Sequence, residues 1–226
     1  MGLYRDDGVV LRTYKLGEAD RIVSILTRQH GKVRAVAKGV RKTKSKFGAR
    51  LEPPTHLQLQ FYEGRELDIV TQAETIDHFR TVREDLDRLT RAVSMLEAAD
   101  QLSLDREPNA AMYQMLVGPL VVAGFFLKVL ALEGYGAAVD ACVECQTDVN
   151  LVSFDLEAGG VRCTLHQRGP SVTPEAMALV QDILGGRLGS ALNTPGSPAT
   201  AEVDHLARRS MEYHLERRLR SLSVLE

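Results

Sequence analysis

Ile22-Val23-Ser24-Ile25-Leu26, then Arg28-Gln29-His30-Gly31-Lys32, then Val33-Arg34-Ala35-Val36-Ala37, is the part of the chain whose reading decides the fold. The two outer pieces are short and rich in β-branched residues, and the middle one holds a glycine able to take the positive φ of a turn. They read as two strands of a hairpin. After Lys38-Gly39 the apolar pattern stops, and Arg41-Lys42-Thr43-Lys44-Ser45-Lys46-Phe47-Gly48 has the period of neither strand nor helix. It reads as an exposed loop carrying four positive charges in six residues.

The same region is unusual in charge. Between Asp20 and Glu52 there is no carboxylate, while ten basic side chains stand there: Arg21, Arg28, Lys32, Arg34, Lys38, Arg41, Lys42, Lys44, Lys46 and Arg50. Crowded cations repel one another unless something negative neutralises them. Many basic runs are only solvated loops or guards against edge pairing. Here the strands before the loop are basic as well, which points to a polyanion. Phe47 is the single aromatic among the ten charges, whereas proteins that hold bare strands by stacking interleave several. The patch is suited to gripping phosphates while leaving base edges free.

Outward from the hairpin, Gly8 to Tyr14 reads as an earlier strand. Leu57-Gln58-Leu59-Gln60-Phe61 alternates as a half-buried strand does, and Glu63-Gly64-Arg65 turns into Leu67-Asp68-Ile69-Val70-Thr71, which runs on towards Ile76. Five short strands with turns between them suggest a small closed barrel of the OB type over residues 1–80. The pattern then changes. Val82, Leu86, Leu89, Val93 and Leu96 recur on one face of a helix, Pro108 opens another, and Pro119 divides it from an apolar helix over Leu120 to Leu132. Thr173-Pro174-Glu175 starts a helix that ends at Gly185-Gly186. Asn193 to Ala199 reads as a linker, and a last helix runs from about Thr200 to Leu222, with Arg217, Arg218 and Arg220 complementing its dipole. Residues 1–80 carry a formal +5 and residues 81–226 a formal −7, so the front of the chain is the part that approaches nucleic acid.

At 226 residues, 44% hydrophobic and 26% charged, the composition is that of an ordinary globular protein with no visible secretory or transit segment. Three cysteines, an odd number in one short region, argue for a reducing cytoplasm. Cys142-Val143-Glu144-Cys145 and, seventeen residues on, Cys163-Thr164-Leu165-His166 have the spacing of a zinc ribbon. Gly159-Gly160 supplies the hairpin turn that brings the two knuckles together. Four ligands close a tetrahedron and leave no place for an activated water, so the zinc expected on Cys142, Cys145, Cys163 and His166 is structural. No nucleophile, paired-carboxylate or phosphate-loop constellation stands out; Gly185-Gly186-Arg187-Leu188-Gly189 lacks the Lys-Ser/Thr of a P-loop. The expectation is a non-enzyme.

These residues carry a family resemblance. Leu11-Arg12-Thr13-Tyr14-Lys15-Leu16-Gly17-Glu18-Ala19-Asp20-Arg21-Ile22-Val23, then Gly31-Lys32-Val33-Arg34-Ala35-Val36-Ala37-Lys38-Gly39 running into Lys46-Phe47-Gly48, resemble the N-terminal barrel of RecO, the bacterial recombination mediators. Phe126 to Gly136 followed by the cysteine pair is similar to their helical domain and zinc module. Family members that keep the metal usually have Cys where this chain has His166; imidazole is a good zinc ligand. The fold expected is therefore α+β and multidomain: a five-stranded OB-type barrel over 1–80, then an α-helical domain over 81–226 with a zinc-ribbon-like module at about 139–170. The resemblance implies a cytoplasmic, nucleoid-associated protein of DNA repair and recombination. Such a protein binds single- and double-stranded DNA, anneals complementary strands, joins RecR, and helps RecA displace single-strand-binding protein, SSB. Lys38, Arg41, Lys42, Lys44, Lys46 and Arg50 are the expected DNA contacts, with Arg21 and Arg34 assisting. The family also captures the acidic C-terminal tail of SSB on the helical domain, for which Lys128, a cation within an apolar helix, is the candidate. The rival readings are a zinc-ribbon, OB-fold RNA-binding or transcription factor and a zinc hydrolase with an open coordination site.

Overall fold

The computed structural model describes residues 2–117, 122–186 and 197–215. The chain divides into two compact units, the first ending at residue 120 and the second beginning at residue 121. In the first, β1 (Leu3–Leu16), β2 (Asp20–Thr27), β3 (Gly31–Ala37), β4 (His56–Tyr62) and β5 (Asp68–Asp77) close into a barrel of order β1-β2-β3-β5-β4. β3 and β5 run parallel, and the other pairs are antiparallel. Alternate residues of every strand fill the interior: Val10, Val23, Ile25, Val33, Ala35, Leu57, Leu59, Phe61 and Val70 are all buried. Closure depends on β1, which is long enough to serve two neighbours. Leu3 to Val9 pairs with β4 and Gly8 to Leu16 with β2, and a bulge between Val10 and Arg12 bends the strand as it passes from one to the other. The β2–β3 turn needs its glycine, because Gly31 has φ +66° and a Cβ there would lie 2.1 Å from the carbonyl oxygen of Glu107.

Three helices follow in the same unit: α1 (Arg80–Arg83), α2 (Leu86–Leu102) and α3 (Ala110–Val117). The continuous helix expected from Val82 to Leu96 is broken at Asp85. Its carboxylate accepts from the Arg88 N–H at 2.9 Å and starts α2 afresh. The buried face of α2 is made of Ala92, Met95, Leu96 and Ala99, while Leu86, read as core, is 74% exposed. Small side chains let the helix lie close on the outside of β1 and β2, where Asp100 accepts from the Ser24 hydroxyl at 2.7 Å and from Lys32 Nζ, through its carbonyl, at 2.7 Å. α3 is capped by Asn109, next to Pro108, whose side chain accepts from the Met112 N–H at 2.9 Å. Close by, Arg106 donates its N–H to the Lys32 carbonyl at 3.0 Å and its guanidinium to buried Asp68 at 2.7 Å, and Asp68 also accepts from the Gly64 N–H at 3.0 Å and from the Tyr4 hydroxyl. Burial and the Asp68 carboxylate hold the Tyr4 phenol above its ordinary pKa.

The second unit holds α4 (Val122–Leu132), a two-stranded ribbon of β6 (Leu151–Asp155) and β7 (Gly160–Cys163), a 3₁₀ turn (Thr164–His166), α5 (Pro174–Leu184) and α6 (Pro198–His214). α4 is buried nearly all round through Phe125, Phe126, Leu127, Val129 and Leu130. α5 begins as its sequence requires, with the Thr173 hydroxyl accepting from the Ala176 N–H at 3.3 Å. A capping box of Ser197 and Thr200 starts α6, so Pro198 and Ala199, read as linker, form its first turn. Pro119, the segment Arg187-Leu188-Gly189 and the Arg217, Arg218 and Arg220 cluster lie outside the described residues. Among the described residues no helix is long and apolar enough to cross a membrane.

Candidate nucleic-acid interface and metal centre

The β1–β2 turn and the connection from β3 to β4 meet at one end of the barrel. The Arg41 N–H donates to the Ala19 carbonyl at 3.0 Å, Arg41 Nη1 to the Gly17 carbonyl at 3.2 Å, and the Gly39 N–H to Asp20 Oδ1 at 2.7 Å. From there the basic loop advances as a chain of tight turns, with Lys42, Ser45, Gly48 and Arg50 each donating to the carbonyl three residues back. Val40, Phe47 and Leu51 turn inward and join the barrel core. The expectation of a wholly exposed loop is thus corrected at Phe47, which is 2% exposed: its ring is an anchor, and the segment is a pinned cap rather than a tether. Arg83, which no sequence signal singled out, holds the return of the loop by donating to the carbonyls of Glu52 and Pro54 at 3.0 and 2.6 Å and to Thr55 Oγ1 at 2.9 Å.

With the apolar residues turned in, the cations are turned out. Lys38, Arg41, Lys42, Lys44, Lys46 and Arg50 are exposed, as is Arg34 on β3, and among the described residues none of the seven is in an ion pair. Arg21 differs, for it is ion-paired with Glu52. Lys46 Nζ donates to the Thr71 carbonyl at 2.9 Å and lies 4.9 Å from the centroid of the Phe47 ring, and Arg50 donates to the Lys46 carbonyl at 2.9 Å. These two cations border an open groove of about 720 Å³ along β5, whose wall also includes Thr71, Glu74 and His78. Seven exposed cations that make no ion pair among the described residues, set against Glu74 in the groove wall, raise the local potential and attract polyanions.

The second unit gathers the cysteines. Cys142 opens a tight knuckle in which its N–H donates to the Thr147 carbonyl at 2.8 Å and its carbonyl accepts from the Gln146 N–H at 2.9 Å. The β6–β7 ribbon returns the chain, and the 3₁₀ turn after Cys163 swings His166 back, so that the four ligand atoms lie within 4.8 Å of one another. Cys145 Sγ is 3.7 Å from Cys163 Sγ, and Cys163 Sγ is 3.4 Å from His166 Nδ1. With bonds of about 2.3 Å to sulfur and about 2.0 Å to nitrogen, a zinc tetrahedron has edges of about 3.8 Å and about 3.5 Å, so the donor set fits the ion. The sulfur–sulfur distance is far beyond the roughly 2.05 Å of a disulfide. Burial pushes the Cys142 thiol up, but N–H donors from Cys145, Cys163 and Glu144 outweigh it and bring it down to about 6. Hydrogen bonding between Cys163 and His166 lowers the thiol and raises the imidazole. Cys145 has the Thr147 N–H as a donor, yet burial and the two facing thiols push it up. These groups oppose one another as neighbouring thiolates do, and a cation among them removes that repulsion. Around them Arg162, largely buried, bridges Asp155 at 2.8 Å and Glu144 at 2.9 Å, tying the ribbon to the first knuckle.

Lys128 is partly exposed on α4 between buried Leu127 and Val129. The small cavity beside that helix is lined by Leu127, Leu130, Tyr135 and Phe154 and does not include it.

Two family models match the chain, "Recombination protein O N terminal" over residues 1–79 and "Recombination protein O C terminal" over residues 83–223. It is 43% identical to the DNA repair protein RecO of Frankia casuarinae, across 100% of this chain and 99% of that protein. The identity is 42% to the DNA repair protein RecO of a Nocardioides species, over 99% of both chains. It is 40% to that of Thermobifida fusca, over 100% of this chain and 99% of the relative. The barrel, the helical unit with its cysteine cluster, and this full-length similarity agree: the chain belongs to the RecO family of DNA repair proteins.

Proposed function

We propose that this chain is a non-catalytic recombination mediator that binds single- and double-stranded DNA and anneals complementary strands through the basic end of its barrel. The observation that carries the reading is the set of exposed cations, Lys38, Arg41, Lys42, Lys44, Lys46, Arg50 and Arg34, with no ion pair among the described residues. Phosphates neutralised there lose much of the repulsion between two strands, while the bases stay available for pairing. Arg21 assists, its charge shared with Glu52. With RecR as partner, the protein helps load RecA onto SSB-coated DNA in gap repair. Zinc held by Cys142, Cys145, Cys163 and His166 supplies no reaction chemistry; it fixes the fold of the module.

If about six phosphates are neutralised on a single strand, log affinity falls with log salt at a slope near −4. Replacing Arg41, Lys42, Lys44 and Lys46 together by Ala brings the slope to about −1.4 and slows annealing. A slope near zero for the parent protein rejects the electrostatic grip. For the SSB tail, Lys128 offers a cation beside apolar side chains to an acidic peptide with an apolar end; equal peptide affinity of Lys128→Ala and parent removes that assignment.

A further inference from the structure

β5 has a strand on both sides only at its start. β3 meets it at Ala35 opposite Asp68 and Val36 opposite Ile69 and then ends at Ala37, whereas β4 accompanies β5 from Ile69 to Asp77. From Thr71 onward, among the described residues, β5 has a backbone partner on the β4 side alone. A strand edge presents the N–H and C=O groups of alternate residues and is a template for another strand. At this edge the Thr71 carbonyl accepts from Lys46 Nζ at 2.9 Å, so a side-chain amine stands where a ladder N–H would. The open groove of about 720 Å³ runs along the same edge, lined by β5 from Thr71 to Thr75 and, on the loop side, by Lys46, Phe47 and Arg50. At about 3.3 Å per residue, that length of β5 is about 13 Å. Thr75 in this wall has a buried hydroxyl oxygen with no hydrogen-bond partner, where buried polar groups are ordinarily satisfied.

We propose that this edge takes an extended acidic segment of a partner protein, which adds a strand beside β5 and sets its carboxylates on Lys46 and Arg50. The backbone groups decide for a peptide. A sugar–phosphate backbone carries acceptors only, and it leaves a row of edge carbonyls without donors; a peptide in the extended form brings donors and acceptors at the period of the strand it joins. The charges decide which peptide. Lys46 and Arg50 border the groove against the single carboxylate of Glu74, so they guard the edge from uncharged and basic strands and favour one that brings carboxylates of its own. The inference goes beyond the DNA reading and shares two residues with it. Lys46 and Arg50 cannot hold a carboxylate and a phosphate at once, so the segment lifts a bound strand from this part of the patch.

The probe is a short synthetic peptide in which glutamate alternates with valine, added to the full chain without DNA. It slows hydrogen exchange at the outward amides of β5 between Thr71 and Asp77. The same peptide N-methylated at alternate residues keeps its charge, loses its donors and does not bind. Lys46→Ala with Arg50→Ala, both at exposed positions, weakens the parent peptide about tenfold, the sum of two surface ion pairs. Lys46→Glu with Arg50→Glu transfers the preference to a peptide of alternating lysine and valine. Absence of binding, binding without protection in β5, equal affinity of the methylated peptide, or a parent that prefers the lysine peptide each overturn the proposal. Protection that appears on raising protein concentration alone gives the edge to a second copy and overturns it as well. Failure of the DNA reading shows separately, as a salt slope near zero for single-stranded DNA with the peptide's affinity unaltered.

Discussion

The basic loop at residues 38–55 and the cysteine module at about 139–170 are both poor in regular structure, and they are held by opposite means. The loop sends Val40, Phe47 and Leu51 into a barrel core that exists without it. The module buries Val139, Phe154 and Val161, but its regular structure is only a two-stranded ribbon and a knuckle, and it converges on four donors within 4.8 Å. One segment borrows hydrophobic burial and the other is built to borrow an ion. Anchoring from below leaves the loop's polar side free for a ligand, whereas convergence on an ion consumes the side chains that make it.

The comparison breaks most visibly on metal removal. Stripping the ion with a chelator, or making Cys163→Ser, should abolish zinc retention and unfold the module, since zinc in small ribbons contributes on the order of 10 kcal/mol. The barrel's affinity for single-stranded DNA should persist, and its loss on chelation would show that the two regions are not independent. Phe47→Ala is the corresponding cut in the loop. It should cost about 3–5 kcal/mol in denaturant unfolding of the barrel while zinc content stays at parent level. Arg162→Gln is smaller. Asp155 is buried but keeps N–H donors from Glu157 at 3.0 Å and Ala158 at 3.1 Å, so losing the guanidinium should cost about 1–3 kcal/mol, read as faster loss of zinc to a chelator.

What the sequence announced and what it hid follow the same division. The strand pattern placed β2 to β5 to within about two residues, because each faces a core on one side and water on the other, but it began β1 at Gly8, five residues late, and so missed the polar stretch from Leu3 that pairs with β4. The cysteine spacing placed the four donors, because a two-residue gap has few geometries that aim both side chains at one point. The first helical stretch misled: Leu86 and Val93 follow the helical period, yet the face that packs on β1 and β2 is chosen by small residues, Ala92 and Ala99, that let the backbone approach. Phe47 looked exposed because its neighbours in sequence are charged, and only the path of the loop reveals the turn inward. Tyr14 and Val36 are twenty-two residues apart and share a rung only through β2, so no reading of either strand alone puts them in register.

The finest test separates cations that are free from one already neutralised. Lys44 is exposed and makes no ion pair among the described residues, while Arg21 faces Glu52. On a single strand, each phosphate left without its cation reduces the salt slope by about 0.7, and Lys44→Ala should show that full change with no effect on unfolding. Arg21→Ala should move the slope by less, because the nucleic acid gains little counterion release from a charge that Glu52 already screens. It should also weaken binding slightly, since it frees the Glu52 carboxylate beside the phosphates. Adding Glu52→Gln to Arg21→Ala should restore that part of the affinity, and equal slopes for Lys44→Ala and Arg21→Ala would mean that the pair opens when DNA arrives and that Arg21 grips a phosphate like the rest.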